Sequence, residues 1–142
     1  MLHFVVLVNK QGQTRLAQYY EYLPMEERVA MESEIVRRCL SRTNSQCSFF
    51  QFKKYRVIYR RYASLFFVVG ADEGDNELSI LEFIHNLVET FDKYFDSVCE
   101  LDIMFNLERA HFLVDEMVMN GHIVETNQKN IRTPIDLLDK MS

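Results

Sequence analysis

With 142 residues, 48% of them hydrophobic, the chain can bury one sizeable core but is too short for two ordinary domains, so a single domain spanning 1–142 is expected. Eleven Phe and seven Tyr set against four Gly and two Pro exclude a disordered chain, because this much apolar surface offsets the entropy lost on folding. A net charge of −5 disfavours general nucleic-acid binding, which draws most of its affinity from neutralising phosphates.

Leu2-His3-Phe4-Val5-Val6-Leu7-Val8 is followed at once by the polar Asn9-Lys10-Gln11-Gly12. The run carries no basic leader and no small-residue cleavage site, and it is too short to span a bilayer. It therefore reads as a buried strand of a chain expected to stay in the cytosol. Gly12 closes a turn, and Thr14 to Tyr20 reads as a second strand pairing back on the first. Pro24 suits a helix start, Glu26 and Glu27 suit its positive end, and Met31, Ile35, Val36, Cys39 and Leu40 repeat at helical spacing. Beyond the polar loop 41–46, Phe49–Phe52, Tyr55–Tyr62 and Leu65–Val69 read as three aromatic and β-branched strands.

The acidic turn Asp72 to Asn76 can cap a helix carrying Leu78, Leu81, Ile84, Leu87, Val88, Phe91, Tyr94 and Phe95, widened by Ile80 and Phe83. A helix apolar around so much of its circumference is either central to the fold or faces a partner. Glu100 to Asn106 begins a further helical stretch, continued by Leu107, Ala110, His111, Val114, Met117 and Val118 and stopped by Asn120-Gly121. Thr133-Pro134 reads as the start of a last short helix through Leu137 and Leu138. The order β-β-α-β-β-β-α-α, with strands too closely spaced for helical crossovers, predicts a mostly antiparallel sheet with helices packed on it, an α+β fold.

Signals of catalysis are mostly missing. Glycine stands only at 12, 70, 74 and 121, leaving no phosphate loop and no GxGxxG, and there is neither HExxH nor GxSxG. His3, His85, His111 and His122 are dispersed, and Cys39, Cys47 and Cys99 form no CxxC pair, so reduced structural thiols and neither metal nor cofactor are expected. Cys99, beside Glu100, reads as a small buried thiol on a helix flank.

What stands out is cationic. Arg15 lies in the second strand, and Lys53, Lys54, Arg56, Arg60 and Arg61 lie in or beside the third and fourth. Arg56 and Arg60 share strand parity and project from one side, whereas Arg61 points the other way. They form either an ordinary solvated basic face or a docking site for a carboxylate, a phosphate or an acidic partner surface. Ala63, Leu65, Val88, Val98 and Ile103 could line an apolar pocket near this charge, although core packing is the commoner fate of such residues.

Four motifs carry a resemblance: Asn9-Lys10-Gln11-Gly12-Gln13-Thr14-Arg15-Leu16, Tyr59-Arg60-Arg61-Tyr62-Ala63-Ser64-Leu65-Phe66, Glu82-Phe83-Ile84-His85-Asn86 and Cys99-Glu100-Leu101-Asp102. In that order they resemble, end to end, the sigma (small) subunits of the heterotetrameric clathrin-adaptor family. Asp102 to Asn106, Val114 to Gly121 and the ending Leu138 to Ser142 are most similar to the complex-4 type. The resemblance implies a longin-like fold, with a five-stranded antiparallel sheet between helices. It also implies a non-catalytic subunit seated on a large (epsilon) chain, within a complex completed by beta and mu chains and peripheral on trans-Golgi network and vesicle membranes.

The resemblance further implies a site for acidic dileucine cargo tails, [DE]xxxL[LI]. Arg15 would meet the acidic residue, and Ala63, Leu65, Val88 and Val98 would line the leucine pockets with Ile103 as a further wall. Ser97 stands where the best-known pocket pattern has Asn, and Ile103 where it has Leu. Other readings are a longin-type trafficking module of a SNARE or tethering complex, a sigma subunit of adaptor complex 1 or 2, or a small hydrolase using Cys99 or a histidine.

Overall fold

The structure, a computed structural model, describes residues 1–41, 47–119, 122–123 and 139. Strands β1 (Leu2–Asn9), β2 (Thr14–Tyr19), β3 (Cys47–Phe52), β4 (Tyr55–Tyr62) and β5 (Leu65–Asp72) form one antiparallel sheet in the order β2-β1-β5-β4-β3. The first strand of the chain, β1, is therefore buried inside the sheet beside the last of the five, β5. This explains why β1 and β5 are apolar on both faces rather than alternating.

Helix α1 (Met25–Ser41) covers one face. Phe4, Val6 and Val8 of β1 point towards it, with Val57 and Tyr59 of β4, Phe66 and Val68 of β5, and Met31, Ile35 and Cys39 of the helix. The other face meets α2 (Glu77–Phe95), α3 (Glu100–Phe105) and α4 (Leu107–Met117). Val5, Leu7, Ile58, Leu65, Phe67 and Val69 pack there against Phe83, Leu87, Phe91 and Leu113. Leu2 belongs to this second core although its parity matches Phe4, because the β1–β5 register shifts between residues 2 and 4 and moves one side chain across the sheet.

The apolar girth of α2 is used within the chain. Ile80, Phe83, Ile84, Leu87, Val88, Thr90 and Phe91 are all buried, and Leu78, near the N-terminus, is the part left exposed. Asn76 starts the helix by accepting the Leu78 N–H at 2.9 Å and the Ser79 N–H at 3.4 Å.

Three expectations need correcting. The stretch from Glu100 is not continuous: Asn106, at φ −132° and ψ 43°, leaves helical geometry and separates α3 from α4, while its Nδ2 donates to the Asp102 carbonyl. Helix α4 ends at Met117 instead of running to Asn120-Gly121, because Val118–Met119 (β6) turns extended and pairs with His122–Ile123 (β7). Both β3 and β5 outrun their sequence limits. Cys47 and Ser48 pair with Arg60 and Tyr59, and Asp72 pairs with Tyr55. The helix expected through Leu137 and Leu138 lies outside the described residues.

Candidate functional site

At one end of the sheet the β1–β2 and β4–β5 turns lie side by side, since Asn9 at the end of β1 pairs with Leu65 at the start of β5. Asn9 is only 1% exposed, and it is fully bonded. Its Oδ1 accepts the N–H groups of Gln11 at 3.0 Å and Gln13 at 2.8 Å, which shapes the turn closed by Gly12 at φ +87°. Its Nδ2 donates to Gln13 Oε1 at 2.9 Å and to Glu100 Oε1 at 2.8 Å.

Arg15, on β2, is bound to the same two oxygens: Nε donates to Glu100 Oε1 at 2.8 Å and Nη2 to Gln13 Oε1 at 2.9 Å. One amide and one guanidinium are thus bridged by one carboxylate and one side-chain carbonyl. Glu100 reaches this point from the first turn of α3, three residues before Ile103. The same helix face therefore presents a carboxylate to Arg15 and an aliphatic side chain to the core.

Of the apolar residues singled out in the sequence, Ala63 and Leu65 lie in and beside the β4–β5 turn at this end. Leu65, Val88, Val98 and Ile103 belong to one core cluster, each 2% exposed or less, whereas Ala63 is exposed in the β4–β5 turn at φ +53°. Between α2 and α3 the chain turns through Asp96 at φ +55° and Ser97 at φ +73°. Asp92 holds that turn: its carboxylate accepts the Tyr62 hydroxyl at 2.6 Å and the Val98 N–H at 3.2 Å, and its carbonyl accepts the Ser97 N–H at 2.9 Å.

Ser97 is exposed, and its left-handed backbone is costly for any residue with a Cβ. Ser97→Gly is therefore expected to stabilise the chain by about 0.5–1 kcal/mol, net of the extra freedom glycine gives the unfolded state, read as a raised urea midpoint. An unchanged or lowered midpoint would show that the Ser97 side chain contributes a contact of its own.

The other cations are spread over the sheet. Arg56 and Arg60 project on the α2 side, where Arg56 pairs with Glu77 and the Arg60 guanidinium lies 3.0 Å from His85 Nδ1. Arg61 is exposed on the opposite face with its guanidinium over the Phe66 ring. Lys53 and Lys54 lie at the far end of the sheet from Arg15, in the β3–β4 turn. There they line an open pocket of about 360 Å³ with Leu23, Glu27, Met31 and Tyr55, and Lys54 is 3.6 Å from Glu21. Strand parity and the turn thus divide one sequence cluster among three surfaces.

Among the described residues no group of His, Cys, Asp and Glu could hold a metal ion, and no helix is long and apolar enough to cross a membrane. Cys39 is buried, and Cys99 is only half-buried at the start of α3, where its N–H donates to Asp102. His3 lies between two carboxylates, with Nε2 on Asp72 and Nδ1 3.3 Å from Glu21, which also accepts the Tyr55 hydroxyl.

These contacts govern the response to acid. The hydrogen bonds from Asn9 and then Arg15 hold the Glu100 carboxyl below its usual range, and that from His3 does so for Asp72. For Glu21, desolvation pushes upwards but is outweighed by Tyr55, His3 and Lys54. Groups whose folded pKa is depressed contribute stability that is present above the unfolded value, about 4, and lost as pH falls through the folded one. The urea midpoint should therefore hold from neutrality to about pH 5 and drop steadily below about pH 4, less steeply in Glu100→Gln than in the parent. An equally steep acid limb in Glu100→Gln would show that this carboxylate contributes nothing.

Neither Glu100 nor Asn9 was singled out for the site in the sequence. Arg15 and Glu100 are 85 residues apart, and no local pattern marks a carboxylate whose partner is that distant.

The clathrin adaptor complex small chain family profile matches residues 1–142. The chain is 66% identical over 139 residues to the AP-4 complex subunit sigma of Arabidopsis thaliana, covering 98% of this chain and 97% of that one. It is 41% identical over 141 residues to the AP-1 complex subunit sigma-1 of the same plant, covering 99% and 88%. In structure it is similar to a chain in a homology model of the full-length AP-3 complex in a stretched open conformation. That match has a TM-score of 0.79 and 28% identity, and it covers 99% of this chain and 95% of the other.

Proposed function

Since the chain belongs to the clathrin adaptor complex small-chain family, we propose that it is the sigma subunit of a complex-4-type heterotetramer. In this role it is non-catalytic, seats against a large chain of the epsilon type, and serves a complex completed by beta and mu chains at trans-Golgi network and vesicle membranes. The observation that carries the subtype is the contrast within one plant, 66% identity to the complex-4 sigma chain against 41% to the complex-1 chain.

The Arg15 end of the sheet supports a part in reading sorting signals. The guanidinium is held by Glu100 and Gln13 at the end of the sheet where β5 begins with the buried Leu65; Val98 and Ile103 flank Glu100 in sequence and are buried, and Ala63 and Ser97 are exposed. An acidic dileucine tail would place its acid on Arg15 and its leucines against this end of the core, each buried leucine contributing about 1.5–3 kcal/mol and the charged hydrogen bond fixing the register.

The test is purification of the tagged chain from its own cytosol, with mass spectrometry of what accompanies it. Stoichiometric recovery of an epsilon-type and a beta chain with one mu chain supports the proposal. Recovery of complex-1 or complex-2 large chains overturns the subtype, and a lone monodisperse monomer overturns the subunit role itself.

A further inference from the structure

The guanidinium of Arg15 has two edges on which a carboxylate can form a two-point contact, and one of them is already filled. Nε is taken by Glu100 Oε1 and Nη2 by Gln13 Oε1, so two oxygens from distant parts of the chain stand where the two oxygens of a ligand carboxylate would. The arrangement is built rather than incidental. Both oxygens are also held by the Nδ2 of Asn9, which is 1% exposed and pinned in turn by two backbone N–H groups. Nη1 has no hydrogen-bond partner among the described residues, and the side chains of Arg15 and Glu100 are 25% and 23% exposed. The open edge is thus accessible while its charge is balanced by Glu100 from behind.

Resting on the reading of Arg15 as the contact for an acidic residue, we infer that Glu100 sets the charge selectivity of that contact. It acts as a built-in counter-carboxylate that lowers the preference of the site for an acidic peptide over its neutral counterpart. A carboxylate approaching the open edge meets the guanidinium first, with the Glu100 carboxylate behind it on Nε, so the anion cancels part of the cation's attraction. The hydrogen bonds from Nη1 and Nη2 then weigh more in binding, and a neutral amide or hydroxyl oxygen can also accept them. Exchanging Glu100 for Gln keeps the oxygen that accepts from Asn9 Nδ2 and Arg15 Nε, and so keeps the guanidinium in place, but removes the negative charge. The site then carries an unopposed positive charge and discriminates in favour of acids. Glu100 is accordingly a specificity-determining residue acting through Arg15.

The experiment uses the assembled heterotetramer carrying parent, Glu100→Gln or Arg15→Ser versions of this chain, with recovery of the complex as the check on folding. Two peptides are compared by titration, one with Glu four residues before paired leucines and the same peptide with Gln there. The Glu/Gln affinity ratio is expected to rise about 5- to 10-fold in Glu100→Gln, with a steeper salt dependence for the acidic peptide, and to fall towards one in Arg15→Ser. If Arg15→Ser removes the discrimination but Glu100→Gln leaves the ratio unchanged or lowers it, the role given to Glu100 is overturned while the sorting-signal reading stands. If Arg15→Ser leaves the binding of both peptides unchanged, that reading fails and this inference with it.

Discussion

Gly70→Ala is expected to lower folding stability by about 3 kcal/mol, among the larger effects of removing no side chain at all. Gly70 sits on β5 opposite Phe4 of β1, and the Phe4 ring fills the space that a side chain at position 70 would need. An added Cβ would stand 2.1 Å from Phe4 Cε2 and 2.3 Å from Cζ, far inside contact distance. The ring has little room to yield, because it is packed against Tyr19 at 5.8 Å and Tyr55 at 5.6 Å between ring centres. The backbone here is ordinary strand, so the requirement for glycine comes from the ring lying on it and not from its torsion angles. A second substitution isolates this cause: Phe4→Leu in the Gly70→Ala chain should recover part of the loss, giving a coupling of about 1–2 kcal/mol in a double-mutant cycle read by urea unfolding. Independent, additive effects of the two changes would mean that the ring and Gly70 are not in the contact described.

The elements visible in the sequence were those whose signal is local. Five strands, the helix after Pro24 and the helix after Asn76 follow from apolar spacing and turn residues, and the five-stranded antiparallel sheet follows from strands too close for crossovers. What the sequence hid depends on partners far along the chain. Cys47 and Ser48 are strand because Arg60 and Tyr59 are there to pair with them, and Leu2 changes face because of a register shift against β5. Asn106 interrupts a stretch whose apolar spacing is helical throughout, because its side chain bonds the backbone of the preceding turn.

At the site the same division holds. Arg15 could be picked out as a cation on a strand, and Leu65, Val88, Val98 and Ile103 as apolar residues whose commoner fate is core packing, which is where all four lie. That Arg15 is already neutralised by Glu100, and that the cations at 53 to 61 separate onto different surfaces, are facts of tertiary arrangement alone.

Burial also decides which substitution can test the apolar part of the site. Val88 would seem the direct choice, because an aspartate there should repel a leucine. Yet Val88 is 2% exposed, in the same cluster as Leu65, Leu87, Phe91 and Ile103. Val88→Asp places an unpaired carboxylate in that core, with an expected cost of about 3–5 kcal/mol, enough to unfold many domains of this size. Val88→Ala, which only vacates two methyl groups, should cost about 1–2 kcal/mol. Urea unfolding of the two variants separates the cases: a midpoint for Val88→Asp near that of Val88→Ala would mean that position 88 opens to water readily and is a surface a ligand can use directly. With the large difference expected, loss of peptide binding in Val88→Asp would report a collapsed core rather than a blocked pocket. The charge at Arg15 and the exposed rim at Ala63 and Ser97 are then the positions from which ligand contact can be tested without disturbing the fold, and Glu100→Gln, which changes charge while keeping shape, disturbs it least.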